Sequence, residues 1–215
     1  MDGAFNRKSL PAVLTERDRY WLTFLHRHGP LSSHILYEAT GETHRCKDSA
    51  LRRLQYLRET GWLYLPPQQR RMTKADFKPY VYDLTPRALQ TLVAQGASAH
   101  HRPTGHWAHL TGVAAVTASV EILANRTGNS FLPAKTILAL KGASFAVPLR
   151  RGRLIPDQLF ARRSNDGFRA YLLEYDRGTE PFVSRGFRKS VTRALDHYEE
   201  AFANGHARTH YGLKA

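Results

Sequence analysis

Cysteine is nearly absent from this chain of 215 residues: Cys46 stands alone, which excludes an intrachain disulfide framework and any structural zinc site built on several thiolates. Acidic residues are scarce beside basic ones, 18 Asp and Glu against 32 Lys and Arg. No uninterrupted apolar run approaches the roughly 18 residues of a membrane span, and the opening Met1-Asp2-Gly3-Ala4-Phe5-Asn6-Arg7-Lys8 lacks the apolar core of a secretory signal. Together with the lone thiol, these absences give the expectation of a cytoplasmic chain with no membrane partner. Neither a Gly-x-x-x-x-Gly-Lys loop nor a Gly-x-Ser-x-Gly elbow occurs, so nucleotide hydrolysis and serine chemistry have no support.

What is present is an ordinary globular composition, 42% hydrophobic and 11% aromatic, that can bury a core. The formal net charge is +14, and arginine supplies 24 of the 32 basic residues. Neither half is a basic tail: residues 1–95 hold 15 basic and 9 acidic residues (+6), and 96–215 hold 17 and 9 (+8). A charge of this size on folded sequence points to a polyanionic partner, with double-stranded DNA as the expected one.

In the first half, Leu14, Tyr20/Trp21, Phe24/Leu25 and His28 recur at helical spacing, Thr15 and Asp18 resemble a capping box, and Gly29-Pro30 ends the helix. A second helix fits Ser32 to Thr40, and a third begins near Thr43 and runs through Ala50, Leu51, Leu54 and Leu57 to Gly61. The period then becomes strand-like over 62–65 and 80–84, making a hairpin with a basic tip, and Thr85-Pro86 opens a fourth helix. The stretch from Ala50 to Leu63 resembles the recognition helix and first wing strand of a winged helix-turn-helix domain, which lays its third helix in the major groove. His44, Arg45, Lys47 and Ser49 then project from the start of that helix, with Arg45 and Lys47 the residues suited to guanine edges. Arg52, Arg53, Arg70, Arg71, Lys74 and Lys78 suit phosphates.

Residues 96–105 lack periodicity and read as a linker, so the expected domains are 10–95 and 106–215. His100, His101, His106 and His109 cluster there, where a solvated or phosphate-facing role is expected rather than metal ligation. Residues 106–126 fit a helix with Leu110, Val113, Ala114, Thr117 and Glu121 in register. Further on, Asn165-Asp166-Gly167 separates two strand-like runs as a hairpin turn. A turn centred on Asn165-Asp166 puts Asp157 opposite Glu174, whereas Asp166-Gly167 puts it opposite Asp176. Both faces of the hairpin are apolar, so it is expected to be central and buried, carrying three acids that need a cation, shared protons or arginine partners.

Pro156-Asp157 followed by Glu174-Tyr175-Asp176 resembles the Pro-Asp...(Asp/Glu)-x-Lys core of restriction-endonuclease-like nucleases. The whole arrangement behind a winged helix is similar to the plasmid replication-relaxation family, itself similar to relaxases of one plasmid mobilisation group. The resemblance implies an α/β chain (α+β overall), in which a winged helix precedes a mixed sheet flanked by helices. It also implies magnesium on Asp157 and Glu174, with Glu121 a further ligand. This chain departs from the pattern in holding Asp176 where the lysine belongs, leaving Arg188 or Lys189 on the next helix, whose buried stripe is Phe187, Val191, Ala194, Tyr198 and Phe202, as the available cations. Two functions are therefore expected: a magnesium-dependent nicking or cleaving enzyme of a mobile element, or a catalytically silent DNA-binding regulator of transcription or replication. In the second case the C-terminal domain forms a homodimer or adds DNA contacts.

Overall fold

The computed structural model describes residues 13–71, 79–97, 102–164, 167–179, 181–183 and 190–213. The chain divides into two compact units, Met1–Ser98 and Ala99–Ala215.

The first unit contains α1 (Glu16–His28), β1 (Leu31–Ser32), α2 (Ser33–Thr40), α3 (Lys47–Glu59), β2 (Leu63–Tyr64), β3 (Val81–Leu84) and α4 (Pro86–Ala94). Thr15 and Asp18 close the capping box of α1, and Ser32 and Thr85 cap α2 and α4 with their hydroxyls. The helices bury Trp21, Phe24, Leu25, Leu36, Leu54 and Leu57 together, each side chain contributing about 1.5–3 kcal/mol on leaving water. Trp21 joins this core without stranding its indole, since Nε1 donates to the Leu36 carbonyl at 2.8 Å. Gly61, at φ 78°, turns the chain out of α3 through a left-handed conformation that favours glycine. The strands form an antiparallel sheet in the order β1-β3-β2, with Leu31 opposite Tyr82 and Leu63 opposite Leu84.

Two details differ from expectation. Helix α3 starts at Lys47 rather than near Thr43, because residues Gly41–Thr43 form a 3-10 turn and His44 packs inward against Trp21. Strand β1 was not expected, since Ser32 was read as the start of the second helix.

The second unit contains α5 (Trp107–Arg126), β4 (Ser130–Pro133), α6 (Ala134–Ala139), β5 (Val147–Pro148), β6 (Arg153–Leu154), β7 (Gln158–Ser164), β8 (Gly167–Leu173), α7 (Val191–Ala203) and α8 (His206–Tyr211). Its main sheet has the order β4-β7-β8, and β5-β6 is a separate pair. Among the described residues every pairing is antiparallel, where a mixed sheet was expected. The connection between β7 and β8 is too short to be anything but a hairpin. Leu159 and Ala161 on one face of β7 pack with Ile137, Val147, Leu154, Ala201 and Tyr211 into a core beneath α6, α7 and α8. Helix α5 has a mean hydropathy of 1.3, high enough by length and composition alone to cross a membrane, yet it also buries Thr117 and Glu121.

The hairpin is not buried throughout. Strand β8 pairs only with β7 among the described residues, and it leaves Phe168 62% and Tyr171 37% exposed. On α7 the expected stripe holds in part: Val191, Ala194 and Tyr198 are half-buried, but Ala201 is the buried residue and Phe202 is 61% exposed. Phe187 lies outside the described residues.

Candidate functional site

Helix α3 presents its polar face to solvent because Ala50, Leu54 and Leu57 occupy the opposite one. Arg45, Lys47, Asp48, Ser49, Arg52 and Gln55 are all exposed. Beside them a cleft of about 560 Å³ is lined by Asp48, Arg52, Gln55, Arg58, Tyr80 and Tyr82, between the helix and the start of β3. Ser49 directs its hydroxyl to the Cys46 carbonyl, which holds the first turn of the helix in the absence of a side-chain cap from Cys46.

Two residues expected on this face are used internally. The ring of His44 stacks on Trp21 at 5.1 Å and lies 3.2 Å from the Thr40 hydroxyl. Burial first, and then the Arg17 charge, lower its pKa, so it is neutral at pH 7 and offers phosphate no charge. Arg53 reaches the fully buried Asp18 through Nε at 3.0 Å and Nη2 at 2.6 Å, and Nη2 also donates to the Val13 carbonyl. Burial pushes the Asp18 carboxyl up, but the Arg53 guanidinium and the Thr15 amide and hydroxyl outweigh it and hold it below the ordinary value. Arg53 is therefore a clamp between α1 and α3. Arg70 and Arg71 belong to a 3-10 turn, Pro67–Arg71, with their side chains outside the described residues, as are Lys74 and Lys78.

In the second unit, Ser164 pairs with Gly167 and Gln158 with Leu173, so the register is the one that carries Asp157 opposite Glu174. Asp157 lies just before β7 rather than inside a strand, and its N–H extends the ladder by donating to the Leu173 carbonyl at 2.9 Å. Its carboxylate is held on both oxygens: His109 Nε2 of α5 stands 3.1 Å from Oδ1, and the Tyr175 N–H donates to Oδ2 at 2.7 Å. Glu174 accepts the Tyr198 hydroxyl of α7 at 3.1 Å. Burial, then the Glu174 charge and hydrogen bond, push the Tyr198 phenol far above the ordinary tyrosine range, so it stays protonated as a donor. Tyr175 meets His109 edge-on, with centroids 5.9 Å apart, and its ring lies against the backbone of α5 at Gly112, where a Cβ would overlap it.

Among the described residues, the other expected acids do not join this cluster. Asp176 lies beyond β8 and accepts the Gly178 N–H at 2.9 Å in a local turn. Glu121 is buried 12 residues beyond His109 on the same helix, about 18 Å along its axis at 1.5 Å per residue. Arg188 and Lys189 lie outside the described residues. Among the described residues no three His, Cys, Asp or Glu side chains converge as metal ligands. Magnesium takes near-octahedral oxygen ligands, whereas here an imidazole, an amide and a phenol already hold the acids. The donor set so arranged does not fit that ion. What it provides is an imidazole oriented by a carboxylate, fixed between α5 and the end of the hairpin.

Gln55, Arg58 and Tyr80 in the first unit, and Tyr175 and Tyr198 in the second, were not singled out from sequence as site residues, and His109, expected to be solvated or to face phosphate, meets Asp157 instead. Gln55 was within reach of helical spacing, three residues after Arg52. Nothing in spacing ties His109 to Asp157, because they stand 48 positions apart with strands β4, β5 and β6 and helix α6 between them.

No curated protein and no solved structure matches this chain. A family model, that of replication-relaxation proteins, matches residues 22–215, spanning the third helix of the first unit and the whole hairpin of the second. By that match over nearly its entire length, the chain belongs to the replication-relaxation family.

Proposed function

We propose that this protein binds duplex DNA in replication or mobilisation of a mobile element, reading sequence with the exposed face of α3 in a winged-helix manner. The observation that carries the proposal is that face itself. Lys47, Arg52 and Gln55 are exposed together on a helix held rigidly by its buried side, with Arg45 exposed in the turn just before it, and they combine forks and an ammonium group for guanine with an amide suited to adenine. The net charge of +14 supports a polyanionic partner. Arg53 and His44 have no part in the contact, since each is committed to the interior.

In this reading the Asp157–His109 and Glu174–Tyr198 pairs brace the hairpin against α5 and α7, which favours the DNA-binding regulator over the nicking enzyme. The test is selection of a binding site from a random duplex pool, followed by anisotropy titrations on the selected and scrambled sequences. Arg52→Ala and Gln55→Ala should weaken the selected duplex by about 1–3 kcal/mol each and the scrambled one less. Equal losses on both sequences would remove the recognition role from α3.

A further inference from the structure

The outer half of the β7–β8 hairpin is basic and aromatic. Arg162, Arg163, Phe168 and Arg169 fall within it, Tyr171 lies just inward of its midpoint, and no described residue of either strand is acidic. The register sets Arg162 directly opposite Arg169. Like charges facing each other across strands repel, yet neither guanidinium hydrogen-bonds or ion-pairs to a described residue, and Arg162 Nε is buried with no acceptor. An anion held between them would remove the repulsion, and a phosphate offers the oxygen acceptors that guanidinium forks match.

The rings have a matching arrangement. Phe131, Phe160 and Tyr171 stack in file across β4, β7 and β8 at 5.6 and 5.3 Å, which fixes Tyr171 at the sheet edge. On the opposite face Phe168 stands 62% exposed, with the Arg163 guanidinium 5.6 Å from its centroid. Exposed rings give a duplex little, because its bases already cover one another's faces, whereas unpaired bases stack on aromatic side chains regardless of sequence.

We infer that this part of the hairpin binds single-stranded DNA that crosses the edge of β8 away from β7, with a backbone phosphate between Arg162 and Arg169, one base stacked on Tyr171 on that face and the next on Phe168 on the other. A second copy added along β8 is opposed by charge, since it would set further arginines against Arg169. The inference rests on the proposed function only for the chemical class of the partner, and a single-strand site would suit a protein acting where duplex DNA is opened.

The full-length protein is titrated against labelled oligothymidylate and, separately, a labelled random duplex. Phe168→Ala and Arg169→Ala, both at exposed positions, should each weaken single-strand binding about tenfold while leaving duplex affinity and thermal stability unchanged, and Phe168→Trp should retain single-strand binding. Single-strand affinity equal to wild type in both alanine variants would overturn the inference. So would duplex binding with no single-strand binding, an outcome that leaves the α3 reading standing. Self-association abolished by the same variants with single-strand affinity intact would instead make the surface an interface between copies, and failure of wild type on both probes would overturn both readings.

Discussion

Replacing Arg53 with alanine should unfold the first unit more easily without altering its DNA affinity. Asp18 is fully buried and takes two guanidinium hydrogen bonds, at 3.0 and 2.6 Å. Removing one partner of a buried ion pair costs about 3–5 kcal/mol, because the other charge is stranded. Here Arg53 is 24% exposed, so solvent screening lowers the figure to about 2–3 kcal/mol. In a unit of this size that is a fall in Tm of roughly 10–20 °C. The pH dependence has a definite sign. The wild-type carboxyl lies below its ordinary value of 3.8, so its stabilisation is full above that pH and is lost as pH falls through the folded-state value. In the variant, burial without the guanidinium raises the carboxyl instead, so the variant gains stability as pH falls from neutrality and the gap between the two proteins closes in acid. Calorimetric scans between pH 7 and pH 2 read both effects. A variant with unchanged Tm that binds every duplex more weakly would show that Arg53 grips phosphate and does not clamp Asp18.

Gly112→Ala should destabilise the second unit by about 1–3 kcal/mol through overlap with the Tyr175 ring, although glycine to alanine within a helix ordinarily stabilises. A Gly112→Ala/Tyr175→Ala double variant should recover part of that loss in thermal unfolding, and additive losses would contradict the contact. Tyr198→Phe removes the hydroxyl that donates to Glu174 and should cost about 1–3 kcal/mol in the same assay. With magnesium present, supercoiled plasmid should stay intact and Asp157→Ala should lower Tm; nicking that Asp157→Ala abolishes would restore a catalytic role to the acid.

Local rules made much of the fold legible. The capping box of Thr15 and Asp18, the Thr85-Pro86 helix start, and the hairpin turn all act over a few residues, and sequence spacing carries that information. The candidate site was less legible, for physical reasons that differ by residue. Arg52 and Arg53 are adjacent in sequence and both basic, yet one faces solvent and the other a buried aspartate 35 residues away. Only tertiary packing separates them. His44 reads as a polar residue at a helix start, and its stacking on Trp21 depends on a turn that spacing does not encode. Spacing left Asp157 opposite either Glu174 or Asp176, and the ladder has the first, but the partners of the two acids, His109 and Tyr198, come from helices far off in the chain. Alternation also overstated the burial of the hairpin: apolar faces on β8 suggested a central strand, and the described sheet leaves it at an edge.

The central claim, electrostatic binding of duplex DNA through α3, is tested most directly by the salt dependence of affinity. With about 4–6 phosphates neutralised, affinity for a duplex should fall by a factor on the order of 10²–10³ between 50 and 200 mM salt. Replacing Arg70 and Arg71, which suit phosphates, together with alanine should flatten the slope of log affinity against log salt by up to about 2, whereas replacing Lys47 and Arg52 should weaken the selected duplex with the slope little changed. Affinity that ignores salt, or a slope unchanged in the Arg70/Arg71 double variant, would contradict the account.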